Sequence, residues 1–443
     1  MLETPIAYNE DDIKDKFWKH EEFDDYLPAP GFLTDFILTT RGIETPTHLS
    51  LWSAIWAISS VLKRDAYFKW FPDPLYANFL IVLVAPPRLC AKSTAVRQFG
   101  EKIVSDFTEF YPDPVMKFAK EVNLLRTKVT PEALEIALVP KENVPIMVNG
   151  ENFFGNRGSE TSVVISELAT FLGKQKYNTG LINKLVDLYD CKDIDSSATV
   201  GRGEVIFKNI YFTLIGATTI KGINESIPEE AMGGGFLSRL ILVHAPRPTR
   251  AYPEPREVIG APDRKELAKR LAWIANNAQG EYYFTKEAQS YYNKLYAAHR
   301  KKLMTQDDHT MDLKSRFDIH LRKLALIMKA QRYERGKEIT LEILKEAEAI
   351  LNATYDTAHG ITKEVGVSVY TKAYNKAKEI IRLRKRITRR QLLQKLSPYG
   401  VTADAVFKIM EALSQEGAVT INLRGKIKQK PSTTGEEVYE WDR

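Results

Sequence analysis

Apolar residues recur at helical spacing from Phe32 to Leu62, with Trp52, Ile55, Trp56 and Ile58 on or near one face. This predicts a helical N-terminal layer over residues 31–74. The pattern changes after Trp70-Phe71-Pro72-Asp73-Pro74. Asn78-Phe79-Leu80-Ile81-Val82-Leu83-Val84 is a short, β-branched run that is apolar on both faces, as buried strands of a parallel sheet are. Ser162 to Ile165, Ile210 to Ile215 and Arg239 to His244 read as further strands, with helices at Thr94 to Phe110 and Asn178 to Leu188. Strands alternating with helices predict an α/β protein whose parallel sheet core spans residues 75–248. From 249 to about 360 the pattern is helical, a lid-like tail. Residues 1–30 are charged, end in Leu27-Pro28-Ala29-Pro30-Gly31, and read as a flexible acidic lead-in.

Residues 370–443 read as a separate domain. Tyr370 to Leu383, Thr388 to Leu396 and Thr402 to Gln415 are amphipathic helices, and Gly417 to Lys428 with Val438 to Trp441 reads as a strand and its return. Three helices and a β-ribbon predict a winged helix. Arg386, Arg389 and Arg390 cluster with neighbouring basic residues near its start, and Arg424 and Lys426 lie on the ribbon. Such clusters bind nucleic-acid phosphates. A winged helix used for protein contact is the alternative. The third helix exposes Asp404, Lys408 and Glu411, a poor set for reading bases, so weak sequence preference is expected.

The chain has 443 residues, 44% hydrophobic and 27% charged, which suits two or three globular domains. A formal charge of +6 permits contact with phosphates. Cys90 and Cys191 are the only cysteines, too few for a disulfide framework or a thiolate zinc site. The N-terminus lacks the apolar run of a signal peptide, and no segment has the roughly 20 apolar residues that span a bilayer. A soluble intracellular protein without membrane contact is expected.

The strand ending in Val84 runs into Ala85-Pro86-Pro87-Arg88-Leu89-Cys90-Ala91-Lys92-Ser93-Thr94 and then a helix. A phosphate loop needs that order. Backbone N–H groups of the turn and helix start surround the phosphates, a lysine reaches the outer two, and a hydroxyl holds Mg²⁺. Arg88, Ala91, Lys92, Ser93 and Thr94 are therefore the candidates for contact with ATP, and Ser93 for Mg²⁺. The usual glycines are missing: Ala91 precedes the lysine, and Pro86 stands at the first glycine position. A solvent-facing helix start with a Ser/Thr cap is the plain alternative.

Val163-Val164-Ile165-Ser166-Glu167 is an apolar strand ending in a carboxylate, and Glu167 is the candidate for polarising an attacking water. Ser166 stands where an aspartate often serves Mg²⁺; it can hold a metal-bound water but adds no charge. The next strand ends in Gly216-Ala217-Thr218-Thr219, where Thr218 or Thr219 would orient water or the γ-phosphate, or form an ordinary turn. In Gly233-Gly234-Gly235-Phe236-Leu237-Ser238-Arg239 a glycine run precedes an arginine, which suits a finger inserted into a neighbouring subunit's site. A bland salt-bridging arginine is the alternative.

Asn78, Lys92-Ser93-Thr94, Ser166-Glu167, Gly216-Ala217-Thr218-Thr219 and Gly234-Gly235-Phe236-Leu237-Ser238-Arg239, followed by a helical tail, resemble the helicase-like ATPase of phage and mobile-element primase-helicases. The chain is more distantly similar to superfamily 3 and other AAA+ replicative helicases. The likeness covers about residues 30 to 350. It implies a P-loop NTPase core of AAA+/RecA-like type, with Lys92 and Ser93 on nucleotide and Mg²⁺, Glu167 catalytic and Thr218 or Thr219 as sensor. It also implies that Arg239 is supplied in trans. In the tail, Arg316, His320 and Lys323 share one helix face and are candidates for a second sensor, against a solvated or salt-bridged face.

Thr199 to Lys208, with Gly201-Arg202-Gly203 at its centre, reads as a hairpin. In related ring helicases a hairpin at this place carries basic tips into the channel. By that analogy Arg202 is the foremost DNA-binding candidate, with Lys192 and Lys208 behind it; an edge hairpin with a solvated arginine is the alternative. The function expected is an ATP-dependent DNA helicase of phage or mobile-element replication. It would act as a hexameric ring in the bacterial cytoplasm, beside a separate primase or replication initiator. The alternative is an ATP switch that binds DNA without unwinding it, as an initiator or helicase loader does, and the missing glycines favour that alternative.

Overall fold

The main sheet has five strands, all parallel: β1 (Leu80–Val84), β2 (Leu124–Leu125), β3 (Glu160–Ile165), β4 (Tyr211–Thr218) and β5 (Leu240–His244), in the order β5-β1-β4-β3-β2. The computed structural model describes residues 21–126, 130–148, 150–172, 179–199, 203–227, 235–305, 311–362, 369–396, 403–415, 419–424 and 436–441. Every residue of β1 and β4 is buried, which is why both read as apolar on two faces. β1 pairs with β4 from Leu80↔Leu214 to Val84↔Thr218 and with β5 from Leu80↔Leu240 to Val84↔His244. β4 pairs with β3 up to Gly216↔Ile165. Two-residue β2 is too short to show as an apolar run, and the sequence pattern does not reveal it.

From β1 the chain crosses to the far edge at β2, returns through β3 to β4, and then passes over β1 to reach β5. The connections leaving β1 and β4 therefore run in opposite directions. A crevice opens at such a switch point beyond the carboxyl ends of the strands, where ligands bind in open α/β sheets.

The expected N-terminal layer is two helices, Phe32–Thr40 and Thr47–Leu62, separated at Arg41 to Pro46. All of Thr47–Leu62 is buried, so it is a central helix of the core and has no solvated face. Two of its serines are satisfied internally: Ser53 donates to Leu49 O at 2.8 Å, and Ser59 to Thr213 Oγ1 at 3.0 Å, whereas the buried hydroxyls of Ser50 and Ser60 have no partner. The lead-in is packed from Glu21 onward, contrary to its reading as flexible. Phe23 is buried, and Glu21 accepts from Arg41 (3.2 Å) and Arg250 (2.5 Å).

The tail is not wholly helical. Gly280–Phe284 and Glu338–Ile339 pair with Ala66–Phe68 and Leu75–Tyr76 in a second, four-stranded sheet. Arg322, from helix Phe317–Ala330, lies against the rings of Phe68, Trp70, Phe284 and Tyr292, between 4.0 and 5.6 Å from their centroids. Lead-in, layer, core and tail share one hydrophobic core from Phe23 to Tyr355 and form one compact unit up to Thr362.

Asp35 joins three segments of that unit. It is fully buried and accepts from Arg270 at 2.6 Å and from Tyr333 Oη at 2.8 Å. Asp35→Ala strands much of a buried guanidinium charge, which Glu266, 36% exposed at 3.0 Å, offsets only in part. The expected cost is about 3 kcal/mol, read as a lowered urea midpoint, whereas Tyr333→Phe removes one hydrogen bond and is expected to cost about 1 kcal/mol.

The second unit begins at Lys363. Helices Val369–Arg384, Arg389–Leu396 and Ala403–Gln415 pack around Ala377, Ile381, Leu392, Ile409 and Leu413. Strands Arg386–Thr388, Glu436–Trp441 and Val419–Arg424 form an antiparallel sheet with Glu436–Trp441 in the middle. Among the described residues no helix is long and apolar enough to cross a membrane.

Candidate functional site

The carboxyl ends of β1, β3 and β4 bring together the residues that the sequence pattern assigned to one site. Thr218 lies beside Val84 in register, and Ala85 N donates to Thr218 O at 3.2 Å. Beyond Val84 the Lys92 loop folds back over this edge. Lys92 is 8% exposed, and its ammonium donates to Ala85 O at 3.2 Å and Pro86 O at 3.3 Å. Burial lowers the Lys92 pKa, while the nearby Glu167 carboxylate pulls it back up.

Glu167 follows β3 and is exposed. Thr218 Oγ1 donates to Glu167 Oε1 at 3.1 Å. Thr219 is engaged differently, since its hydroxyl accepts from Gly222 N at 3.0 Å and caps the short helix Ile220–Ser226. The two threonines therefore separate, one touching the carboxylate and the other holding a turn. Gly222 completes this corner. A Cβ there would lie 2.3 Å from Thr218 Oγ1 and 3.3 Å from Glu167 Oε1, so only glycine lets the three approach. Nothing in the sequence pattern marked Gly222, because its role depends on a contact across the sheet edge.

The loop carries its own strain. Arg88 has φ +63° and Ala91 φ +38°, left-handed conformations that glycine adopts freely and side chains resist. Two non-glycine residues of the loop thus hold the backbone conformation that glycine favours. Arg88 is exposed, and Ser93 and Thr94 are half-buried at the start of the following helix. That helix opens as a wide π-type turn over Thr94–Glu101 before narrowing at Lys102–Asp106. Such widened turns cluster at functional sites. Ser166, half-buried, immediately precedes Glu167.

A cavity of about 760 Å³ opens beyond β5, between Phe23, Tyr26, His48, Pro246 and Pro248. Its lining includes none of Lys92, Glu167 or Thr218. Thr45 ties the loop to the segment after β5, its hydroxyl donating to Ala91 O at 3.2 Å and its carbonyl accepting from Arg250 at 2.7 Å. His48 Nε2 donates to His244 O at 3.0 Å, and burial lowers the His48 pKa to about 4. His48 is therefore neutral near pH 7.

Arg239 lies elsewhere. It immediately precedes β5 at the amino edge of the sheet, about 17 Å of strand away from the carboxyl edge. There it donates to Gly235 O at 3.0 Å and to Asp190 Oδ2 at 3.2 Å. Arg316, His320 and Lys323 are at this edge too. Lys323 Nζ donates to Asn78 O (3.1 Å) and Oδ1 (2.7 Å), two residues before β1 begins. The tail face that was a candidate second sensor is thus at the opposite end of its own sheet, where Arg316 pairs with Asp190 at 3.9 Å, as the salt-bridged alternative has it. Nor is that face solvated, since His320 and Lys323 are buried.

The hairpin forms as expected, Ile194–Thr199 pairing with Gly203–Lys208. Its tip, including Arg202, lies outside the described residues, as does Lys426. Lys192 sits at the hairpin's base, and Lys208 pairs with Glu142 at 2.9 Å, which offsets its charge. Glu142 belongs to a second hairpin, Lys141–Val148 with Glu151–Arg157, that the sequence pattern did not reveal. In the other unit Arg386 and Arg424 stand opposite Glu440 and Glu436 in register, Arg389 lies 5.9 Å from the Phe407 ring, and Arg390 is exposed.

Fold and site together define an α/β protein with an all-parallel five-stranded sheet and a lysine–carboxylate–hydroxyl site at its switch point. No protein-family model matches the sequence, and no curated protein matches it.

Proposed function

We propose that this chain is a P-loop ATPase that acts on DNA as a ring of identical subunits, a helicase or translocase of phage or mobile-element replication. The observation that carries the reading is the meeting of Lys92, Glu167 and Thr218 at the switch point. Lys92 would place its charge on the outer phosphates of ATP. Thr218 holds Oε1 of Glu167, which leaves Oε2 to accept a hydrogen bond from the attacking water and orient it in line with the γ-phosphate.

The residues present fit Mg²⁺ as a cofactor. Ser93 supplies a hydroxyl at the helix start, Ser166 and Glu167 lie at the same edge, and Mg²⁺ takes its remaining oxygens from phosphate and water. Mg²⁺ would neutralise charge on the phosphates. Among the described residues no group of three or more His, Cys, Asp or Glu side chains forms a metal site, and this chemistry requires none.

The position of Arg239 supports shared sites. With the length of β1 between it and the Lys92 loop, its guanidinium would serve an adjacent copy, and a ring closes that arrangement. The hairpin around Arg202 would face the channel, and the second unit, read as a winged helix, would add phosphate contacts.

The left-handed Arg88 and Ala91 favour a second reading, an ATP switch that assembles on DNA and turns over slowly. Strand displacement from a forked duplex, measured with ATP and Mg²⁺, separates the two. The helicase reading expects displacement that stops when a non-hydrolysable ATP analogue replaces ATP. ATP-dependent assembly on DNA without displacement would select the switch, and a protein that does not bind ATP would exclude both.

A further inference from the structure

The amino edge of the main sheet holds a charge arrangement that a single finger does not explain. Tyr189, at the end of helix Thr179–Tyr189, is faced by three cations. Lys323 Nζ lies 3.8 Å from the ring centroid, and the Cζ atoms of Arg239 and Arg316 lie 5.7 Å from it. Both guanidiniums are paired with the same carboxylate: Asp190 Oδ2 is 3.2 Å from Arg239 and Oδ1 is 3.9 Å from Arg316. Lys323 is directed to Asn78 instead, and burial lowers its pKa to about 7. Guanidiniums keep their charge, so one half-exposed carboxylate faces two permanent cations and a partly charged third.

The contact of Asp190 with Arg316 is a loose one near the surface, and that with Arg239 is closer, at 3.2 Å. Asp190 is 43% exposed and Arg316 31% exposed, and the 3.9 Å contact is at the limit of an ion pair. Arg239 is 8% exposed, with its Nε buried and without a hydrogen-bond partner. The segment Met311–Lys314, just before Arg316, packs against the turn Leu237–Arg239, so the two arginines are carried by one packed corner. A triphosphate offers more charge and more acceptors than one carboxylate, and planar guanidiniums match phosphate oxygens in pairs.

We propose that Arg316 acts beside Arg239 on the phosphates of ATP bound to an adjacent copy of this chain, and that Asp190 holds both arginines until that phosphate arrives. The inference rests on the ATPase reading above. It assigns Arg316 to the neighbour's site, not to its own.

Mixing two inactive variants tests it. Lys92→Ala lacks a working loop but keeps both arginines, and Arg316→Ala keeps the loop. Arg316→Ala alone is expected to lose about 10²-fold in kcat with little change in KM for ATP. Equal mixing is expected to restore roughly a quarter of wild-type turnover, the share of interfaces in a random ring that join an intact loop to an intact Arg316. No recovery in that mixture, while Lys92→Ala with Arg239→Ala does recover, would overturn the proposal. Wild-type hydrolysis that is indifferent to Lys92→Ala would instead mean that the underlying ATPase reading had failed. Asp190→Asn frees the arginines and is expected to reach half-maximal turnover at several-fold lower protein concentration; a requirement for more protein than wild type would refute the holding role.

Discussion

Arg239→Ala is expected to reduce ATP turnover by about 10³-fold or more, the range that arginine fingers supply, with nucleotide binding by the isolated subunit unchanged. The argument is geometric. Arg239 precedes β5 at the amino edge of the sheet, whereas Lys92, Glu167 and Thr218 gather at the carboxyl edge. A residue so placed cannot reach nucleotide in its own subunit, so its loss cannot alter binding there. It would alter only the step in which charge develops on the transferred phosphoryl group. Steady-state hydrolysis beside equilibrium binding of a fluorescent ATP analogue checks both halves. Equal losses in binding and turnover would place Arg239 in its own subunit's site. Because Arg239 also pairs with Asp190, Arg239→Lys serves as a control. Lysine keeps the charge but lacks the planar fork, and turnover is expected to stay well below wild type while thermal stability recovers.

Lys92→Ala is expected to lower turnover by about 10²- to 10³-fold and to weaken ATP binding as well. Lys92 is buried, and its ammonium reaches back to Ala85 O and Pro86 O, so alanine removes charge and loop bonds together. Lys92→Met keeps most of the volume but likewise lacks the charge and the donors, so it separates the ammonium group from side-chain packing. An equal loss of turnover in both variants assigns the effect to the ammonium group and not to packing, and unchanged hydrolysis in either would refute the site. Ala91→Gly probes the strain next to it. With φ at +38°, glycine is the less strained residue and is expected to add about 0.5–1 kcal/mol of stability. Faster turnover in that variant would show that the left-handed alanine restrains the loop.

Much of the sheet was legible because buried parallel strands are apolar on both faces. Leu80–Val84 and Leu240 to Val243 carry that mark throughout, and Glu160–Ile165 carries it only in its second half, Val163 to Ile165. The polar residues beyond their carboxyl ends stood out because they follow apolar runs, as Ser166-Glu167 follows Val163 to Ile165. Leu124–Leu125 did not stand out, since two residues make no pattern. The helix Thr47–Leu62 was legible as a helix but not as a buried one, because serines such as Ser53 and Ser59 look solvated until their partners at Leu49 and Thr213 are seen.

Local order along the chain determined the class of the core and the identities of Lys92, Glu167 and Thr218 as residues at strand ends. It could not rank Thr218 against Thr219, because that distinction is a 3.1 Å contact with Glu167 from a different strand. Nor could it show that Arg316 and Lys323 belong with Arg239. Helical spacing fixes which residues share a face, but the face's surroundings depend on where tertiary packing seats the helix, here against Asn78 and Tyr189 at the amino edge. Sequence periodicity is a property of single elements. A site built from several elements depends on their order in the sheet, which is set by long-range burial and leaves no local pattern.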